Sequence, residues 1–123
     1  MPSAVFWFPT KAFVDSAAER DQRVNENIGG ASLANWLSSQ LKASGFVSDE
    51  PIAEDHGWDF EVRDGAGRYT LVCTIEDNPD DEREACIQVH LGKPGRTALD
   101  SSDPVYRCVK ALIEAQGTSF RID

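Results

Sequence analysis

Two histidines, three cysteines and a dense run of carboxylates are the groups in this 123-residue chain that could do chemistry. His56 follows Glu54 and Asp55, a grouping able to exchange protons between imidazole and carboxylate near neutral pH. No nucleophile stands beside it in the sequence. The plainer expectation is that Glu54 and Asp55 hydrogen-bond backbone N–H groups at a turn. His90 shares the outward face of an expected strand with Cys86 and Gln88, but positions four apart on a strand lie ~13 Å apart, too far to share one metal ion. Cys73 and Cys108 fall on expected inward faces and read as small core residues. Cys86 is expected to be the exposed thiol, with no adjacent His or Lys in sequence to activate it.

Two loops imitate known sites without meeting their requirements. The run Asp77-Asn78-Pro79-Asp80-Asp81-Glu82 offers hard oxygen ligands, yet it lacks the spaced ligands, the central Gly and the distal Glu of an EF-hand loop. Gly92-Lys93-Pro94-Gly95-Arg96-Thr97 has glycines around a lysine but not the G-K-[ST] ending of a phosphate loop, so a plain turn is expected. Trp7, Trp36 and Trp58 each sit in an expected element with apolar neighbours and read as core. No residue is assigned a catalytic or metal-binding role, and no cofactor is expected.

The carboxylates are informative through their distribution. Residues 49–84 hold thirteen acids and three bases, whereas the rest of the chain holds eight acids and nine bases. The net charge of −9 therefore belongs to one third of the molecule. Within it, Asp59, Glu61, Glu76, Asp77, Asp80, Asp81, Glu82 and Glu84 are expected to form an acidic ridge. Such a ridge would steer a basic protein partner by long-range attraction. A solvated face that merely keeps the protein soluble is the competing expectation.

The elements that must position these groups follow from periodicity. Ala4-Val5-Phe6-Trp7-Phe8 reads as a buried strand ended by Pro9. Residues 10–28 are polar and weakly periodic, either a short helix or a long loop. Leu33, Trp36, Leu37, Gln40 and Leu41 make one mostly apolar helical stripe, so residues 31–44 are expected to be a helix. Gly45 should end it in a left-handed conformation, with Phe46 folding back on Leu41 as in a Schellman motif.

From residue 52 to 91 the period changes to two. Trp58, Phe60 and Val62 alternate with Asp59, Glu61 and Arg63. Asp64-Gly65-Ala66-Gly67 is expected to supply positive-φ positions for a hairpin. The returning strand sets Tyr69, Leu71, Cys73 and Ile75 on one face, and a third strand sets Ile87, Val89 and Leu91 inward. Ser102-Asp103-Pro104 is expected to start a second helix with a side-chain cap. Val105, Cys108, Val109, Leu112 and Ile113 form its apolar stripe, Gly117 stops it, and residues 118–122 can add a last strand. The expected order is β-α-β-β-β-α-β. It forms an α+β two-layer sandwich, a mainly antiparallel sheet with both helices on one face, in a single domain spanning residues 1–123.

Composition excludes several classes. A chain that is 41% apolar with eleven aromatic residues is too hydrophobic to be disordered, and no apolar run approaches the ~20 residues of a membrane-spanning helix. The N-terminus lacks the charged and apolar regions of a signal peptide. An odd, widely spaced set of cysteines points to free thiols in a reducing cytoplasm. The acidic balance opposes direct nucleic-acid binding, which depends on Lys and Arg neutralising phosphates.

The string Asn27-Ile28-Gly29-Gly30-Ala31-Ser32-Leu33-Ala34-Asn35-Trp36-Leu37, followed by Leu41, Gly45, Pro51 and Glu54-Asp55-His56-Gly57-Trp58, resembles a group of small uncharacterised bacterial proteins. These carry N-x-x-G-x-x-L-A-x-W-L and then a P-x-x-E-D-W-G-W-type motif. The resemblance covers residues 27–62. His56 stands where the pattern often has an aromatic ring, and the resemblance brings no activity with it. Gly57 before Trp58 suits a bulge or tight turn at the start of a strand.

The leading expectation is a small acidic bacterial protein-binding domain, in its sharpest form an immunity or inhibitor protein that covers the basic groove of a nucleic-acid-processing partner. One alternative is a small enzyme or ligand-binding domain with its site near His56 and Trp58. Another is a homodimer built on the sheet, with Val72, Cys86 and His90 lining the shared face.

Overall fold

The hydrophobic pattern resolves into one sheet covered on one side. A computed structural model describes residues 2–65, 67–77, 83–93, 95–96 and 98–123. Among these, the element order is β1 (Ser3–Thr10), α1 (Ala17–Asp21), β2 (Ile28–Gly29), α2 (Ala31–Ala43), β3 (Val47–Ser48), β4 (Ile52–Glu54), β5 (Gly57–Arg63), β6 (Arg68–Glu76), β7 (Arg83–Leu91), α3 (Pro104–Glu114) and β8 (Arg121–Ile122). The strands form one antiparallel sheet in the order β3-β5-β6-β7-β1-β8, with β2 on β6 and β4 on β5. The fold is therefore an α+β sandwich. It contains the expected elements, resolves residues 10–28 in favour of a short helix, α1, and adds the short strands β2, β3 and β4.

The inner face takes alternate residues from every long strand. Phe6, Phe8, Phe60, Val62, Leu71, Cys73, Ile87, Val89 and Leu91 are buried there, together with Leu33, Leu37 and Leu41 of α2 and Val105, Val109 and Ile113 of α3. Period two on the strands and period 3.6 on the helices thus meet in one core. Trp58 is only 4% exposed and belongs to it, as the pattern predicted.

Helix α2 ends as its sequence dictates. Gly45 has φ 97°, its N–H donates to Lys42 O, and the Phe46 N–H donates to Leu41 O. These are the two bonds of a Schellman motif.

Four local expectations need correction. Pro9 does not end β1, since it pairs with Glu84 and the strand continues to Thr10. Val5 exchanges backbone hydrogen bonds with Asp123 on the β8 side, so the backbone of Pro9, two pairs along, also faces that side. Strand β8 pairs only with Phe6 and Trp7, so the missing N–H of Pro9 falls where no strand needs it. Gly65 does not adopt positive φ, and Ala66 lies outside the described residues; the hairpin closes through the Asp64 N–H, which donates to Gly67 O at 3.2 Å, and the Asp64 side chain, which accepts from the Gly67 N–H at 2.8 Å. Asp103 occupies the N-cap of α3 without capping it, because Arg96 holds its carboxylate at 2.7 and 2.8 Å. Cys86 is 5% exposed, enclosed by its neighbours although it lies on the outer face of the sheet, whereas Cys108 is only partly buried.

Candidate partner-binding surface

The segment before α2 is fastened by charge. Asp15 and Arg23 keep only 2% and 3% of their side chains exposed and pair at 3.0 Å. Asp15 also accepts from the Ser32 N–H at 2.9 Å and the Gly30 N–H at 3.3 Å. Helix α2 has Gly30 at its N-cap and no side-chain cap of its own. Asp15 therefore satisfies N–H groups at the start of the helix from a distant part of the chain, where negative charge also suits the helix dipole. Arg23 extends the network to Asp77 at 2.8 Å, and Arg20 reaches the same carboxylate at 3.2 Å. The hydrogen bond from Arg23 holds the Asp77 carboxyl below its ordinary pKa.

The glycines beside this network have steric work to do. Gly30 and Gly57 adopt φ 134° and 144°, and a Cβ on either would stand 2.5 Å from the carbonyl oxygen of Cys73. The β2–α2 junction and the start of β5 thus both press against β6 at Cys73. Gly57 ends a tight turn, paired with Glu54, and the Thr74 hydroxyl donates to His56 O at 2.7 Å. A tight turn is expected at that glycine; its close approach to Cys73 O is an additional constraint that only glycine meets.

Five of the eight acids expected to form a ridge lie among the described residues. Asp59 and Glu61 lie on the outer face of β5, opposite Val72 and Thr70. Ile75 pairs with Ala85, which makes Glu76 and Glu84 the next positions out on adjacent strands. Four strand positions, ~13 Å, separate Glu76 from Val72, the partner of Asp59, and six, ~20 Å, separate it from Thr70, the partner of Glu61, so Asp59 lies nearer that end than Glu61 does. Asp80, Asp81 and Glu82 lie outside the described residues.

Many of these carboxylates are also met by a neighbouring side chain. Asp59 is 2.9 Å from His56 Nε2, Glu61 is 2.8 Å from Arg63, Glu84 is 3.3 Å from Arg121, and Asp77 carries Arg20 and Arg23. Three of these arginines, Arg20, Arg23 and Arg121, come from outside the 49–84 segment.

Four exposed acids without a basic partner among the described residues, Glu26, Glu54, Asp55 and Glu76, meet at one end of the sheet; Asp21 and Glu114 are also exposed without an ion pair. Glu76 is the last residue of β6. The Glu54-Asp55-His56 turn is tied to Thr74, two residues away. Glu26 joins them because the neighbouring Asn27 carbonyl accepts from the Asp77 N–H at 3.1 Å. Glu26 was not singled out in sequence; pairing of residues 27–29 with the end of β6 is the signal that places it. His56 and Trp58 are not displayed together, since Trp58 faces the core while His56 is exposed on the turn.

The outer face of the sheet is left open by the helices, which pack on the inner side. Its centre holds Val5, Trp7, Val72 and Cys86, and the Arg121 guanidinium lies 5.0 Å from the centre of the Trp7 ring. His90 is on this face, 3.1 Å from Gln88. Burial pushes the Cys86 thiol up to about 11, so it is not a ready nucleophile. Among the described residues no group of three or more His, Cys, Asp or Glu side chains is arranged to hold a metal ion, and no helix is long and apolar enough to cross a membrane.

Comparison with protein-family models, with curated proteins and with solved structures found no match for the chain.

Proposed function

We propose that this protein is a binding domain that engages a basic protein partner through the acidic end of its sheet. One observation carries the reading. Glu26, Glu54, Asp55 and Glu76 come from three separate stretches of sequence to the end where β6 stops, and none has a basic partner among the described residues. Unpaired like charges repel one another, which costs the folded state; a basic partner would relieve that repulsion on docking. Charge of this kind contributes chiefly to association rate and partner choice. The sharpest form is an immunity or inhibitor protein that covers a nucleic-acid-binding groove.

The test is a pull-down from the source organism's lysate with the native chain and a Glu54→Gln, Asp55→Asn, Glu76→Gln variant as parallel baits. A stoichiometric basic protein held by the native bait, lost from the variant and released by salt, is the expected result. Identical captures by both baits at every salt concentration would overturn the reading. Once the partner is in hand, the variant should associate more slowly while dissociation changes little.

A further inference from the structure

A second kind of surface interrupts the acidic end. Where β8 stops short of Pro9, the edge of β1 is left unpaired and an open cleft of about 370 Å³ forms, lined by Pro9, Thr10, Lys11, Arg83 and Thr118. That volume falls at the small end of ligand-sized pockets, about 300–1,000 Å³. Two of its five lining residues are cations, in a chain with a net charge of −9.

Neither cation is matched to a carboxylate among the described residues. The acids nearest to Arg83 along the strands are already held, Asp77 by Arg20 and Arg23 and Glu84 by Arg121. Arg83 is instead fixed by backbone. Its guanidinium donates to Ala12 O at 2.7 Å and Phe13 O at 3.4 Å, neutral acceptors, and it forms no ion pair among the described residues. The chain that it grips is strained, with Phe13 at φ 57°. The Thr10 hydroxyl oxygen accepts from the Ala12 N–H at 3.0 Å, so its O–H remains a donor. A guanidinium fixed by two carbonyls, an ammonium without an ion pair among the described residues and a hydroxyl donor lining one cleft suit a compact, multiply charged oxyanion. Pro9 leaves an apolar wall beside them for an organic group.

We propose that this cleft binds the phosphate of a small phosphate monoester, with Lys11 and Arg83 as its charge partners and the Thr10 hydroxyl as a third donor. The proposal is independent of the acidic-end reading, because it uses different side chains and a different ligand.

The experiment is a titration of the isotope-labelled protein followed by backbone amide shifts, at constant ionic strength. Phenyl phosphate, inorganic phosphate and benzoate are the probes. Phenyl phosphate should produce saturable shifts confined to Thr10, Lys11, Ala12, Arg83 and Thr118, with inorganic phosphate weaker and benzoate weaker still. Lys11 is exposed, so Lys11→Gln should leave the remaining spectrum unchanged while weakening phenyl phosphate roughly tenfold, the scale of one lost charge contact near a surface. Arg83→Lys keeps the charge but cannot bridge the two carbonyls, and should weaken binding by a smaller factor. Shifts that never saturate or spread over the whole molecule would overturn the proposal. So would a Lys11→Gln variant that binds as the native chain does, or benzoate binding as tightly as phenyl phosphate.

Discussion

Replacing Arg23 with Met tests whether the buried Asp15–Arg23 pair holds residues 10–28 to the rest of the fold. The guanidinium of Arg23 donates to Asp15 at 3.0 and 3.4 Å, to Asp77 at 2.8 Å and to the Glu26 carbonyl at 2.8 Å. Without it the Asp15 carboxylate remains buried with only the Gly30 and Ser32 N–H groups for compensation. Removing one member of a buried ion pair costs about 3–5 kcal/mol, because the other charge is left stranded. A domain of this size has about 5–15 kcal/mol in total, so the loss would be a large share of its stability. Asp77, a third exposed, adds little. Asp15→Asn alone is milder, about 1–3 kcal/mol, since the amide oxygen can still accept from Ser32. The two changes together should cost at least ~1 kcal/mol less than their sum, because the double variant strands no charge. Urea unfolding monitored by tryptophan fluorescence is the assay. Trp36 is well placed to report, with its ring 4.9 Å from that of Phe13 within the fastened segment. A cost below about 1 kcal/mol for Arg23→Met, or strict additivity in the cycle, would refute the reasoning.

Other consequences follow from particular positions. Gly45→Ala meets no atom within 4 Å and should cost only the ~1–2 kcal/mol of a left-handed residue, whereas Gly30→Ala and Gly57→Ala would press a methyl group on the Cys73 carbonyl and should cost about 3 kcal/mol or more by urea unfolding. Stability should fall as pH rises from about 9 to 12. Burial lifts the Cys86 thiol to about 11, and burial followed by the charges of Asp64 and Asp103 lifts the Tyr69 phenol to about 12, so the unfolded chain loses these protons first. Tyr69→Phe should flatten the upper part of that decline in pH-dependent melting. At low pH the sign reverses: Asp103, held below its ordinary value by the hydrogen bond from Arg96, contributes stability above pH ~4 that is lost on acidification, and Arg96→Gln should remove that part of the acid dependence. In the native protein a thiol reagent should label Cys108 first, with Cys73 and Cys86 reacting only on unfolding; rapid labelling of Cys86 would contradict its burial.

The fold was legible where one period dominates. Trp58, Phe60 and Val62 on β5 and Val105, Val109 and Ile113 on α3 carry their burial in their spacing and land in the core as read. Residues 10–28 were opaque because what orders them is not hydrophobic. Helix α1 has no buried residue, and it is closed by a local capping box between Ser16 and Glu19. The segment around it is held by Asp15 and Arg23, whose partners at Gly30, Ser32 and Asp77 lie too far along the chain for any local pattern to register. The same limit explains Asp103. Asp-Pro at a helix start resembles a cap, but Arg96 competes for the carboxylate more strongly than the helix N–H groups do, because a bidentate ionic hydrogen bond outweighs a neutral one.

Charge counting along the chain does not register which carboxylates are met by other side chains in space. A residue count treats Asp59, Glu61, Asp77 and Glu84 as available, although each is met in space by a His or Arg. It also misses Glu26, which becomes part of the acidic end only when β2 pairs with β6. What steers a partner is the charge left over after internal pairing, and that quantity depends on strand register. The leftover charge is not of one sign. The last residue of β1, Thr10, and the first residue of β7, Arg83, lie at the end of the sheet where β6 stops at Glu76. A uniformly basic surface docking there would oppose Lys11 and Arg83. A basic surface with one anionic group set within it would satisfy both the acids and the cleft. The salt dependence of association separates the two cases. Lys11→Gln should speed association with a uniformly basic partner and slow it with a partner that places an anion in the cleft.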